Sequence, residues 1–180
     1  MPGGSAVWIK YLGAAFILAA AVMWGNLQAA KLRDRTRELE EFRLALRLLA
    51  AEIGYTATPL PRALLEVSRR VANPGVQFFL ETVWQQLQEP QTADASAAWL
   101  AAVQNVQRQL QLTAQDWAVV ARAAAGLGGL GREDQLKQLA AAETQLAAQA
   151  AQAAAVYASN EKMWRYLGAL SGLAVVILLL

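Results

Sequence analysis

Residues 37–54 read RELEEFRLALRLLAAEIG, and this stretch decides the fold. Leu39, Phe42, Leu46, Leu49 and Ile53 recur at alternating spacings of three and four, the seam of a helix whose one apolar face meets neighbouring helices. The spacing predicts a helix from about Ala30 to Gly54. Its first turns mix Lys31, Arg33, Asp34, Arg35, Arg37, Glu38, Glu40 and Glu41, the pattern of a solvated stalk.

Downstream, the same helical period returns between start and stop signals. Thr58 is placed to cap a second helix with Pro59 at its first position, and Leu60, Leu64 and Val67 supply the apolar stripe. Asn73-Pro74 repeats that signal for a third helix, which turns Val76, Phe79, Leu80, Val83 and Leu87 inward and is closed by Glu89-Pro90. Asp94 or Ser96 opens a fourth, carrying Trp99, Leu100, Val103 and Val106. Thr113-Ala114-Gln115-Asp116 resembles a capping box, with Asp in place of the usual Glu or Gln, for a fifth helix that stops at Gly126. A sixth begins near Arg132 with Glu133 and Asp134 in its first turn, where the macrodipole favours acids. It continues through the Ala/Gln tract 140–155, read as helix because alanine is the strongest helix former. No segment shows the alternation of a strand. An even number of antiparallel helices returns the chain to the side from which it started. The expected fold is all-α, a six-helix antiparallel bundle.

What flanks the bundle is apolar. The 180 residues are 56% hydrophobic and 17% charged, against about 45–50% and 25% in ordinary globular chains, and the excess sits at the two ends. Residues 6–25 are interrupted by a single charge, Lys10, close enough to the start for its side chain to snorkel outward. Residues 163–180 end in unbroken aliphatic sequence, entered past Lys162, Trp164, Arg165 and Tyr166, an interfacial composition. Each is long enough, or nearly so, to cross a hydrocarbon core of about 30 Å as helix. The first differs from a cleaved signal peptide, because its basic cluster follows the apolar run instead of preceding it. The sequence therefore predicts transmembrane helices at 6–25 and 163–180 around a bundle at 26–162, with no domain expected beyond the second span. Lys31, Arg33, Arg35, Arg37, Lys162 and Arg165 all lie on the connecting segment. The positive-inside rule then puts the bundle in the cytoplasm and both termini on the other side of the cell membrane.

Composition also restricts chemistry. The chain has no cysteine and no histidine, which removes thiol nucleophiles, disulfides, zinc-thiolate sites and the commonest general base. A net charge of +2 and a middle segment with equal numbers of acids and bases offer nothing to a polyphosphate backbone, so no nucleic acid is expected. Gly126, Gly128 and Gly131 spell G-x-G-x-x-G, but an alanine-rich helix precedes them where a dinucleotide site needs a strand. They read as a loop between helices. Glu52 has no second acid at a fixed spacing, and Asp134 sits where a helix start wants an acid. An enzyme working through these carboxylates alone is the weaker reading, and no cofactor, metal or small-molecule substrate is expected.

Two stretches carry more than period and composition. One is Glu52-Ile-Gly-Tyr-Thr-Ala-Thr-Pro-Leu-Pro-Arg-Ala-Leu64. The other is Leu130-Gly-Arg-Glu-Asp134 with Gln138 four residues on, joined later by Asn160-Glu-Lys-Met-Trp-Arg-Tyr-Leu-Gly168. With an apolar helix at each end, the chain resembles the stage III sporulation protein AB family of endospore-forming bacteria over essentially its whole length. It departs from that pattern at Arg62, where an acid is expected, and at Gly54, where a larger residue is expected. The resemblance implies a membrane component on the mother-cell side of a channel joining mother cell and forespore. It also implies a helical body similar to the F-type platform proteins of type II secretion systems. The implied partners are the bilayer, a cytoplasmic sporulation ATPase and other membrane subunits of the channel, with self-association left open. The implied role is a non-enzymatic platform, and helix stiffness adds the expectation that two helices, 30–54 and 131–160, carry force between bundle and spans. The alternative is a scaffold that binds only other membrane helices. Candidate partner-contact residues are Glu52, Tyr55, Thr58, Pro59 and Pro61 in the turn, and Gly131, Asp134 and Gln138 at the later motif. Caps and turns would account for the same residues.

Overall fold

The computed structural model describes residues 4–89, 94–125, 127 and 131–179. Within 1–29 and 161–180 it describes side chains at Ala19, Met23, Leu27 and Met163 alone. Among the described residues six helices follow one another: α1 (Gly4–Gly54), α2 (Leu60–Ser68), α3 (Pro74–Gln88), α4 (Ala95–Val106), α5 (Ala114–Ala123) and α6 (Arg132–Leu179). Among the described residues there is no strand. The expected all-α, six-helix architecture stands. One unit spans Asp34–Ala153, and the remainder of α1 and α6 forms a second.

In the first unit every residue of the α1 seam is buried: Leu39, Phe42, Leu46, Leu49 and Ile53. The seam packs into an aromatic cluster centred on Phe79 of α3, which is fully buried. Phe79 meets Phe42 edge-on at 5.3 Å and Trp99 of α4 at 4.9 Å. Trp117 of α5 stands edge-on to Phe42 at 5.8 Å. These near-perpendicular arrangements put the positive ring edge against the negative face and add to the area buried. The Trp99 indole N–H donates to the Val120 carbonyl at 2.8 Å, so its one polar atom is satisfied inside the core. From α6, Leu139, Ala142, Leu146, Ala150 and Ala153 close the remaining side.

The flank of α1 beside its seam holds the connecting loops. Glu41 accepts the Ala72 main-chain N–H at 2.9 Å, just before α3, and Glu38 accepts that of Gln111 at 2.7 Å, between α4 and α5. Arg35 reaches the start of α5, its Nε donating to Asp116 Oδ2 at 2.8 Å and its Nη2 to Oδ1 at 3.1 Å.

The start signals hold with one adjustment. Asn73 caps α3 by accepting the Gly75 and Val76 N–H groups, and Asp94 caps α4 by accepting that of Ser96. The capping box of α5 is complete with aspartate as its fourth member. Thr58, however, does not cap α2. Pro59 occupies that position with no side-chain cap, because the Thr58 hydroxyl donates to Glu52 instead. Of the apolar residues read on the fourth helix, Leu100 is 43% exposed, since adjacent helical positions diverge by about 100° and Trp99 takes the core side.

The predicted spans, 6–25 and 163–180, lie almost wholly outside the residues whose side chains are described. Among the described residues no helix is long and apolar enough to cross a membrane. Pro90, Gly126 and Gly128 also lie outside the described residues. The helix before that glycine run, α5, ends at Ala123, so the dinucleotide pattern is not preceded by a strand.

Candidate functional site

The turn after α1 is organised by Glu52. The Thr56 hydroxyl donates to the Glu52 carbonyl at 2.7 Å and to its Oε2 at 3.0 Å. The Thr58 hydroxyl donates to the same Oε2 at 3.1 Å, and Arg70, beyond α2, pairs with Oε1 at 3.2 Å. The hydrogen bonds from Thr56 and Thr58 hold the Glu52 carboxyl below its ordinary range, against desolvation and with help from the Arg70 charge. Glu52 is thus a fully engaged carboxylate that fixes a turn, a poor proton carrier at neutral pH. The main-chain N–H of Thr58 donates back to the Glu52 carbonyl at 3.1 Å. Closing the loop this tightly puts Ala57 in the left-handed region at φ 50°, a conformation that costs an L-residue about 1–2 kcal/mol. Pro61 sits in the first turn of α2, where a missing N–H costs nothing.

The expected contact residues do not converge on one place. Glu52, Thr58 and Pro59 line a shallow cleft of about 560 Å³ with Arg62, Glu66 and Arg70. Tyr55 leaves the turn on the other side, 93% exposed, at the mouth of a second groove. That groove joins the two motifs: Gly54 lies beside Leu136, whose methyls would stand 3.5 Å from a Cβ at position 54. The glycine that departs from the family pattern therefore sits where α1 and α6 approach. Gln138 faces elsewhere, into a small niche of about 60 Å³ against Val119 and Arg122 of α5. Gly131 is exposed, a Cβ there would meet nothing within 4 Å, and its carbonyl accepts the Gln135 N–H at the start of α6. Asp134 is exposed and lies 3.8 Å from Lys137, which pairs more closely with Glu133 at 3.1 Å.

Two buried carboxylates with shifted pKa values lie elsewhere, and the sequence reading did not single them out as a site. Glu38 is 6% exposed. Burial, opposed by the Gln111 N–H and reinforced by Asp34, raises its pKa to about 7. Its signal in the sequence was weak: one acid in an acidic run, adjacent to Leu39 of the seam. Asp116 is fully buried, and burial by itself would raise its pKa. Arg35 and the main-chain and hydroxyl groups of Thr113 outweigh that and hold it low. The aspartate in the capping box was its sequence signal. A third cluster alternates in charge: Arg43 bridges Glu40 on its own helix and Glu143 of α6, and Arg47 stands 3.6 Å from the same Glu143 oxygen. Among the described residues no group of three or more Asp, Glu, His or Cys side chains could hold a metal ion. Glu38 faces a main-chain amide and Asp116 a guanidinium, so both act as clamps on α1.

Residues 10–180 match the family described as stage III sporulation protein AB. The chain is 33% identical to stage III sporulation protein AB of Bacillus subtilis over 173 residues, covering 96% of this chain and 99% of that one. A solved structure of a stage III sporulation protein AB is similar with a TM-score of 0.64 and 30% identity, covering 69% of this chain and 97% of that one.

Proposed function

Because the chain belongs to the stage III sporulation protein AB family, we propose that it serves sporulation as a non-enzymatic membrane adaptor that couples a cytoplasmic secretion-type ATPase to membrane subunits of a mother cell–forespore channel. In this reading 6–25 and 163–180 cross the cell membrane, 26–162 lies in the mother-cell cytoplasm, and both termini lie on the far side. The observation that carries the reading is the pair of long helices. α1 runs from Gly4 to Gly54 and α6 from Arg132 to Leu179, so each is continuous helix from packed seam into apolar terminal sequence. A helix with a full hydrogen-bond ladder is stiff, so a load on the seam of α1 or α6 reaches the membrane without a slack linker to absorb it.

The charged contacts of α1 support a mechanical role more than a chemical one. Arg35, Glu38 and Glu41 tie α1 to α5 and to two loops, so displacement of one helix is passed to the others. The test is binding of the purified cytoplasmic ATPase to the full-length chain in lipid nanodiscs, read by calorimetry. The reading expects saturable binding and a change in ATP turnover on binding. Absence of binding at high micromolar concentrations contradicts it.

A further inference from the structure

The groove between the end of α1 and the first turns of α6 is apolar along its floor and charged at one edge. Leu46, Ala50, Leu136 and Leu139 form the floor of a space of about 520 Å³, and Ala51 and Ala140 stand exposed on its two banks. Tyr55 is at one end, almost entirely in solvent. The charged residues that line it are Arg47 and Glu143, and Glu143 is engaged by Arg43 behind it. Glu143 Oε1 already accepts Nε and Nη2 of Arg43 at 3.1 and 3.0 Å. Arg47, 57% exposed, reaches that same oxygen only at 3.6 Å. Its guanidinium, held only by this long ion pair and more than half in solvent, stands beside an apolar trough.

We propose that this groove docks an amphipathic helix of a partner protein, one that lays aliphatic side chains between α1 and α6 and presents a carboxylate to Arg47. Two helices form the walls, and their main-chain groups are spent within themselves, which leaves no edge to which an extended peptide could add as a strand. Shallow troughs between helices accept side chains spaced at helical intervals. Charge selects the partner: a guanidinium at the rim favours a carboxylate, which can take two parallel hydrogen bonds, and repels a lysine. Tyr55 adds a large, rigid contact at the end of the trough. The inference rests on the adaptor reading only for the partner's identity, the ATPase.

The test uses the full-length chain in nanodiscs and two fluorescein-labelled amphipathic peptides. One has leucines along one helical face bordered by glutamates, and its twin has lysines in place of the glutamates. Anisotropy should show binding of the glutamate peptide in preference to the lysine peptide. Ala51→Leu with Ala140→Leu fills the trough at two exposed helical positions, where leucine is nearly as good a helix former. It should leave the thermal melt unchanged and weaken binding about tenfold or more, as loss of a buried anchor does. Arg47→Glu should exchange the preference between the peptides. Equal binding of the two peptides, indifference to the filled trough, or no exchange in Arg47→Glu would each overturn the proposal. The same variants are titrated with the ATPase. If wild type and variants bind it alike, the groove is not the dock although the adaptor reading survives. If none binds it, the adaptor reading falls and the peptide results still decide the groove.

Discussion

Replacing Arg35 with methionine removes the cation from Asp116 while keeping most of the side-chain volume. Asp116 is fully buried and accepts four hydrogen bonds, two from Arg35 and two, both at 2.8 Å, from Thr113. The substitution leaves the Thr113 bonds in place and strands a charge in the interior. Breaking a buried pair from one side costs about 3–5 kcal/mol. With half the hydrogen bonds retained and Arg35 itself 17% exposed, the lower end, about 3 kcal/mol, is expected. That is roughly a hundredfold in the folding constant and about 6–12 °C in the melting midpoint for a chain of this size. Guanidinium unfolding of the full-length chain in detergent, followed by circular dichroism, measures it. The pH dependence gives a second, independent sign. In the wild type the folded pKa of Asp116 is depressed, so its contribution is complete above the unfolded carboxylate value and is lost as pH falls through the folded value. In Arg35→Met, burial is opposed by Thr113 alone, the folded pKa rises, and acid should narrow the gap between the two proteins. Adding Asp116→Asn to Arg35→Met should recover part of the loss. A cost below about 1 kcal/mol, or a gap that widens in acid, would refute the reasoning that Arg35 is what permits a buried charge at Asp116.

Glu38 has the opposite sign. Its folded pKa is raised to about 7, so its carboxyl favours the folded state most below the unfolded value and weakens it as pH climbs to neutrality. Stability should fall by up to about 3 kcal/mol across that window, and Glu38→Gln should flatten the profile, as denaturant midpoints measured from pH 4.5 to 8 would reveal. Phe79→Ala empties the centre of the aromatic cluster and should cost about 4 kcal/mol, with a red shift in tryptophan emission as Trp99 loses its edge-on neighbour and Trp117 a tilted one; a loss under about 1.5 kcal/mol would show that Phe79 is not central. Ala57→Gly relieves a left-handed backbone and should raise stability by up to about 1 kcal/mol, so a lower melting midpoint would contradict the geometry of that turn.

The helices were legible because each has a local signature. The three-and-four spacing of the α1 seam, Asn73-Pro74 and the Thr113 capping box all act within a few residues of themselves, and all appear where expected. Thr58 was misassigned for a reason that is also physical. A threonine before proline suits a cap, but the carboxylate of Glu52, six residues earlier, competes for the hydroxyl and wins with a charge-assisted bond. Leu100 shows the limit of pattern reading, since an apolar side chain beside a tryptophan can sit on either side of a stripe. The contact motifs were visible as motifs, yet their distribution over a cleft, a groove and a niche depends on how α1, α2 and α6 meet. Glu38 and Asp116 were hidden for the same reason: their partners, Gln111 and Arg35, lie 73 and 81 residues away.

Single-cysteine labelling in intact cells tests the central claim most directly, since the chain has no thiols of its own. Ser5→Cys and Gln115→Cys are placed at opposite ends of the proposed topology. The adaptor account predicts that a membrane-impermeant maleimide added outside the mother cell membrane labels position 5 and leaves position 115 untouched until the membrane is permeabilised. Labelling of position 115 from outside, or recovery of a mature chain lacking residues 6–25, would contradict it, because no cytoplasmic ATPase could then reach the bundle.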